Sequence, residues 1–182
     1  MPPVNWWVWY TKCNRIATYF YYQKQTYLNR AEVKGPHKIE RISIPVLRRD
    51  IKQSFLDVEI LFDNNERRRF LQTLRCAYGK SAFFIYYFEE FVAILNQNYT
   101  HLHTLNHAVT SWLAAKFKLP QPQYCQSSFK DIEPWFVNNY GAFHRKYYQP
   151  FGEFVPNLSG FDLLMNLGPD AAEVLNDANS TE

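Results

Sequence analysis

The sequence predicts a single α/β or α+β domain, with a mixed sheet drawn from its N-terminal third and helices from its middle third. Three observations carry this reading. The 182 residues are one domain's worth of chain, enough to bury roughly 70% of the unfolded surface. Short runs rich in β-branched and aromatic residues occupy the first sixty positions. Between Asp63 and Pro120, apolar residues recur instead at the 3.6-residue spacing of helices. The composition agrees: 47% hydrophobic and 20% charged, which excludes a disordered or collagen-like chain.

Residues 16–23 read as a first strand from their β-branched and aromatic content. Residues 41–46, R-I-S-I-P-V, alternate and are stopped at Pro45. Residues 55–62 alternate most cleanly, with Leu56, Val58, Ile60 and Phe62 on one face and Asp57 and Glu59 on the other. Asp63 or Asn64 then caps a helix carrying Phe70, Leu71, Leu74, Ala77 and Tyr78 on one stripe, with Gly79 as its stop. Phe84, Tyr87, Phe88, Phe91 and Leu95 make a second stripe. A third helix is expected from Thr104, burying Leu105, Ala108, Val109, Trp112 and Leu113 and ending before Pro120. The chain is then irregular until Ser159 and Asp162, an S-x-x-D capping box that opens a short helix closed by Gly168-Pro169. Residues from about 176 to 182 are small and polar and are expected to fray.

A formal charge of +3 is too weak for a nucleic-acid footprint. No apolar run approaches a bilayer span. Three widely spaced cysteines and no signal-like opening point to the cytoplasm. Tyr78-Gly79-Lys80-Ser81 ends like a phosphate-binding loop, but the first glycine of that motif falls on Leu74. His101, His103 and His107 lack a neighbouring acid or cysteine to complete a metal set, so no cofactor or metal is expected. Cys76 reads as a small buried hydrophobe, and the Arg67 to Arg69 run as a solvated helix face. The aromatic content, 18%, exceeds what a core of this size needs. Such a surplus suits grooves where rings stack on sugars, bases or peptides, and composition does not choose among them.

Two polar constellations stand out against this background. In residues 22–30, Y-Q-K-Q-T-Y-L-N-R, nearly every side chain can hydrogen-bond. Lys24 and Arg30 can hold anionic oxygens, Arg30 in bidentate fashion. Gln23, Gln25, Tyr27 and Asn29 offer donors and acceptors for hydroxyl or amide groups. The second constellation runs from Tyr147-Tyr148-Gln149 through Asn157 and Ser159 to Asp162 and Asn166. Capping accounts for Ser159 and Asp162 there, but not for Asn157 and Asn166.

Together with S-I-P-V at 43–46, A-Y-G-K-S-A-F-F-I-Y-Y at 77–87 and V-P-N-L-S-G-F-D-L-L-M-N-L-G-P at 155–169, these blocks resemble the WbqC-like family of bacterial proteins. The resemblance covers nearly the whole chain, so residues 1–182 are read as one WbqC-like domain. Three departures accompany it. Met1 stands directly before Pro2-Pro3, where the family begins with a further strand; Arg69-Phe70 replaces a His-Trp pair; and Ala82 replaces a proline.

The resemblance implies a place in surface-polysaccharide (O-antigen) biosynthesis, and a transferase that moves a glycyl or other acyl group to an amino sugar. It supplies no established catalytic residue. Lys24, Arg30 and Asp162 are the candidates for catalysis, and Gln23, Gln25, Tyr27, Asn29, Asn157 and Asn166 for binding a sugar or sugar nucleotide. A non-catalytic protein of the same pathway, binding a sugar, a nucleotide sugar or a partner, is the alternative. No nucleic-acid partner is expected.

Overall fold

The computed structural model describes residues 1–47, 50, 52–125 and 145–177. Pro2 and Pro3 lead into α1 (Val4–Lys12), a helix the sequence reading missed because its Trp, Tyr and Val residues favour strands. Val4, Trp7 and Tyr10 recur every third residue on its buried side. Trp7 meets Tyr10 and Phe117 edge to face at 5.3 and 5.1 Å. Packing, not propensity, makes this segment helical.

The strands β1 (Arg15–Ala17), β2 (Arg30–Lys34), β3 (Ile39–Ser43), β4 (Val46–Leu47), β5 (Glu59–Ile60) and β6 (Gln123–Cys125) are two to five residues long. They do not assemble into one mixed sheet. β1 pairs with β6 in parallel, while β2 with β3 and β4 with β5 form antiparallel pairs. The α/β mixture is thus as expected, distributed over three two-stranded sheets among the described residues. Residues 55–62 depart most from expectation. Ser54 Oγ accepts from the Leu56 N–H and nucleates a 3-10 turn over Phe55–Asp57, leaving only Glu59–Ile60 as strand. Phe55 turns inward and stacks on Phe20 at 4.8 Å, so burial of a ring overrides the alternation.

The helices follow the sequence more closely. Asp63 caps α2 (Asn64–Tyr78), its carboxylate accepting from Asn65 N and Glu66 N, both at 2.8 Å. Phe70, Leu74, Ala77 and Tyr78 are its buried stripe, whereas Cys76 is exposed and is not the core residue expected. Helix α3 (Phe84–Leu95) buries Phe88, Phe91 and Leu95. Helix α4 (Leu102–Lys116) starts two residues before Thr104, which instead caps the His101 carbonyl through its hydroxyl.

Helix α5 (Gly160–Leu167) is buried on all sides and packs against α1, α2, α3, α4 and α6 (Ala171–Asp177). A helix buried on all faces belongs at the centre of a domain, and its two polar side chains, Asp162 and Asn166, are hydrogen-bonded there. Gly168 ends it at φ +56°, with the Phe83 ring so close that a Cβ would fall within 2.4 Å. The rest of the tail expected to fray, residues 178–182, lies outside the described residues. No helix among the described residues is long and apolar enough to cross a membrane.

Candidate functional site

The polar loop before β2 is held by main-chain bonds more than by its own side chains. The Met1 amino nitrogen donates to the Tyr27 and Arg30 carbonyls, each at 3.2 Å, and Asn106 Nδ2 donates to the Leu28 carbonyl at 2.8 Å. Asn29 is tied to the end of β3: its side-chain Nδ2 donates to the Ile44 carbonyl at 3.0 Å and its main-chain carbonyl accepts from Ile44 N–H at 2.8 Å, while its Oδ1 is buried with no hydrogen-bond partner among the described residues. Gln23, Lys24 and Gln25 lie on the exposed turn, and Gln25 adopts φ +63°.

Gln25, Tyr27 and Arg30 border a recess of about 270 Å³, closed on its other side by Glu32 and Arg41 across the β2–β3 hairpin. Glu32 and Arg41 are cross-strand partners, joined by an ion pair at 2.8 Å. Burial, and then the charge of Glu32, pushes the Tyr27 phenol upward against the opposing effect of Arg41, so it stays a hydrogen-bond donor at neutral pH. Arg30 Nε is buried with no hydrogen-bond partner among the described residues. A guanidinium at the wall of an open recess is suited to phosphate or carboxylate oxygens.

The second constellation forms a separate, buried network. Tyr147 Oη donates to Asp162 Oδ2 at 2.5 Å, and Gln149 Nε2 donates to the same oxygen at 3.1 Å. Gln149 Oε1 accepts from Lys34 Nζ at 3.2 Å and from Val155 N–H at 2.9 Å. Lys34 Nζ also donates to the Glu153 carbonyl. Burial raises the Asp162 carboxyl above the usual range, although the Tyr147 hydrogen bond and the Lys34 charge oppose it. Burial likewise lowers the Lys34 ammonium, with Asp162 and Glu153 opposing.

Asp162 is therefore not half of a capping box, because its carboxyl turns away from the helix start toward Tyr147 and Gln149. Asn157 and Asn166 have local structural roles as well. Asn157, at φ +59°, accepts the Asn5 N–H at 2.9 Å and so caps α1 from across the chain. Asn166 donates back to the Asp162 carbonyl at 2.9 Å.

Strand β2 links the two regions. Arg30 and Lys34 lie on one side of it, four residues and roughly 13 Å apart. The cation beside Asp162 is thus Lys34, not Lys24 or Arg30. Lys34 had no distinguishing pattern in the sequence, and Tyr78 stood out only as part of a helix stripe. An alternating strand position such as Lys34 reads as solvent-facing until the segment that covers it is known.

A model of the WbqC-like protein family matches residues 12–139, about 70% of the chain. No curated protein and no solved structure matches it. The matched span takes in the 22–30 loop, the whole β2–β3 hairpin with its recess, and Lys34 and Tyr78. It ends before Tyr147, Gln149 and Asp162. With most of the chain under that match, this protein belongs to the WbqC-like protein family.

Proposed function

We propose that the protein is a transferase of surface-polysaccharide (O-antigen) assembly that moves a glycyl or other acyl group onto an amino sugar. The recess at the β2–β3 hairpin receives the anionic part of a sugar nucleotide or acyl donor. The observation that carries this reading is the pair of guanidinium side chains, Arg30 and Arg41, on the wall of an open, polar recess. In such a transfer the amine nitrogen bonds to the acyl carbon, the bond from that carbon to the donor's leaving atom breaks, and the proton the nitrogen gives up goes to the departing atom or to solvent. Arg30 and Arg41 supply a positive field for the charge that develops on the leaving atom or the carbonyl oxygen.

One observation favours a second reading, a non-catalytic protein of the same pathway that binds a sugar or nucleotide sugar. The recess carboxylate, Glu32, is held by Arg41, and Asp162 is fully buried in its own network. A proton acceptor at the recess would have to break one of these arrangements.

The test is a thermal-shift panel of wild type beside Arg30→Ala with nucleotide sugars, amino sugars, acyl-CoA, and amino acids with ATP. A ligand at ten times its Kd stabilises by about 1.4 kcal/mol, raising Tm by about 3–4 °C for a chain of this size. A shift present in wild type and lost in Arg30→Ala supports the recess, and product formation from that ligand then separates transferase from binder. A shift of equal size in both proteins refutes the role given to Arg30.

A further inference from the structure

The recess at the β2–β3 hairpin is not uniformly cationic, because the carboxylate of Glu32 borders it together with Arg30 and Arg41. Arg30 and Glu32 flank the buried Ala31 on β2, so they share a face of the strand, two residues and roughly 7 Å apart. Glu32 gives its main-chain carbonyl to the Ser159 N–H at 3.2 Å, on the side of β2 away from β3. It therefore faces Arg41 at a non-hydrogen-bonded position of the ladder, where opposed side chains lie closest. The register of the hairpin, not chance contact, sets these three charges beside one another.

Their bonding leaves capacity of both signs. Arg41 Nη2 donates to Glu32 Oε1 at 2.8 Å, a single contact rather than the two-pronged one that a guanidinium and a carboxylate can make. Glu32 Oε2 makes no hydrogen bond among the described residues. The Glu32 side chain is 34% exposed and that of Arg41 61%, so both are open to a ligand. Tyr27, whose phenol feels both charges, and the exposed Gln25 add neutral hydrogen-bonding groups to the same recess. A ligand with negative charge alone would be drawn by the guanidiniums and repelled by Glu32. One that sets a positive group beside its anion meets each charge with its opposite.

We propose that the recess binds a ligand carrying both an anionic oxygen group and an ammonium, the anion on Arg30 and the ammonium on Glu32 Oε2, and that Glu32 selects this ligand over its hydroxyl counterpart. The anion at Arg30 rests on the reading proposed above; the selection by Glu32 goes beyond it. An amino sugar phosphate has this pair of charges, and a neutral sugar phosphate lacks the positive one. Glu32 anchors the ammonium by charge and hydrogen bond, and takes no proton from it.

The test compares D-glucosamine 6-phosphate with D-glucose 6-phosphate, which differ only in an amine against a hydroxyl. Ligand-observed NMR titrations at about pH 6.5 keep the amine protonated. Wild type, Glu32→Gln and Arg30→Ala are compared, with thermal melts to verify folding. Wild type is expected to bind the glucosamine phosphate about fivefold more tightly, the effect of one partly exposed ion pair. Glu32→Gln should erase or invert that preference and tighten glucose 6-phosphate by about twofold, since a repulsion is removed. A Glu32 that served the hairpin alone would, when replaced, weaken both phosphates alike, and that result overturns the inference. A preference retained in Glu32→Gln overturns it too. Equal affinity of wild type for the two phosphates, both lost in Arg30→Ala, overturns the selection while leaving the anion reading intact. Binding of neither phosphate overturns it and also counts against the Arg30 recess. The comparison in wild type decides even where a variant does not fold.

Discussion

Replacing Tyr147 by Phe isolates one hydrogen bond in the buried network and gives it a pH signature. The ring, and its edge-to-face contact with Phe154 at 5.1 Å, are retained, while the donor 2.5 Å from Asp162 Oδ2 is lost. The native Asp162 carboxyl titrates above its unfolded value of about 3.9, so folding favours the protonated acid. Stability from this group is therefore full below about pH 4 and declines as pH rises toward the native pKa. The Tyr147 bond opposes that decline, because it favours the carboxylate.

Against a neutral acid the bond is worth about 1 kcal/mol, and against a carboxylate about 1.5–3 kcal/mol. The variant should lose about 2–4 °C in Tm near pH 4 and roughly twice that at pH 8. Urea melts of both proteins from pH 4 to 8, read by circular dichroism, measure the difference directly. A stability difference that does not grow with pH would refute the claim that Asp162 becomes charged in this network. A difference below about 0.5 kcal/mol throughout would refute the hydrogen bond itself.

Asn157→Ala should cost about 2 kcal/mol in the same melts, combining a lost α1 cap with a non-glycine residue at φ +59°, while Asn157→Gly should recover about half by relieving only the backbone. If alanine and glycine behave alike, the positive φ contributes nothing. Gly168→Ala should reduce stability by more than about 2 kcal/mol, since its Cβ would fall 2.4–2.6 Å from the Phe83 ring at a positive φ. A Tm within 2 °C of wild type would contradict that contact.

The elements that were legible in the sequence are those whose signal is local. Asp63 announces α2 because a cap and its donor N–H are two residues apart, and the stripes of α2 and α3 need only their own periodicity. Segment 55–62 misled for the opposite reason. Its alternation is real, but the side chains that decide its shape, Phe20 and the Phe55 ring, meet across thirty-five positions. Helix α1 was hidden in the same way, since its rings gain from contacts with Phe117 that no window of sequence contains.

The candidate site divides along the same line. The sequence determined which residues carry chemistry in the 22–30 loop, because a run of hydrogen-bonding side chains in an aromatic chain is conspicuous wherever it folds. Its order of residues could not say that the Asn29 Nδ2 and the Asn157 Oδ1 are taken by main-chain partners, that Lys24 lies on an exposed turn, or that Arg30 Nε has no partner among the described residues. Hydrogen bonds are satisfied by whatever lies within about 3 Å, and Asp162 has Gln149 and Lys34 for company only because α5 is buried beside β2. Residue identity sets what each side chain can do; the tertiary structure alone decides which of those capacities are already used.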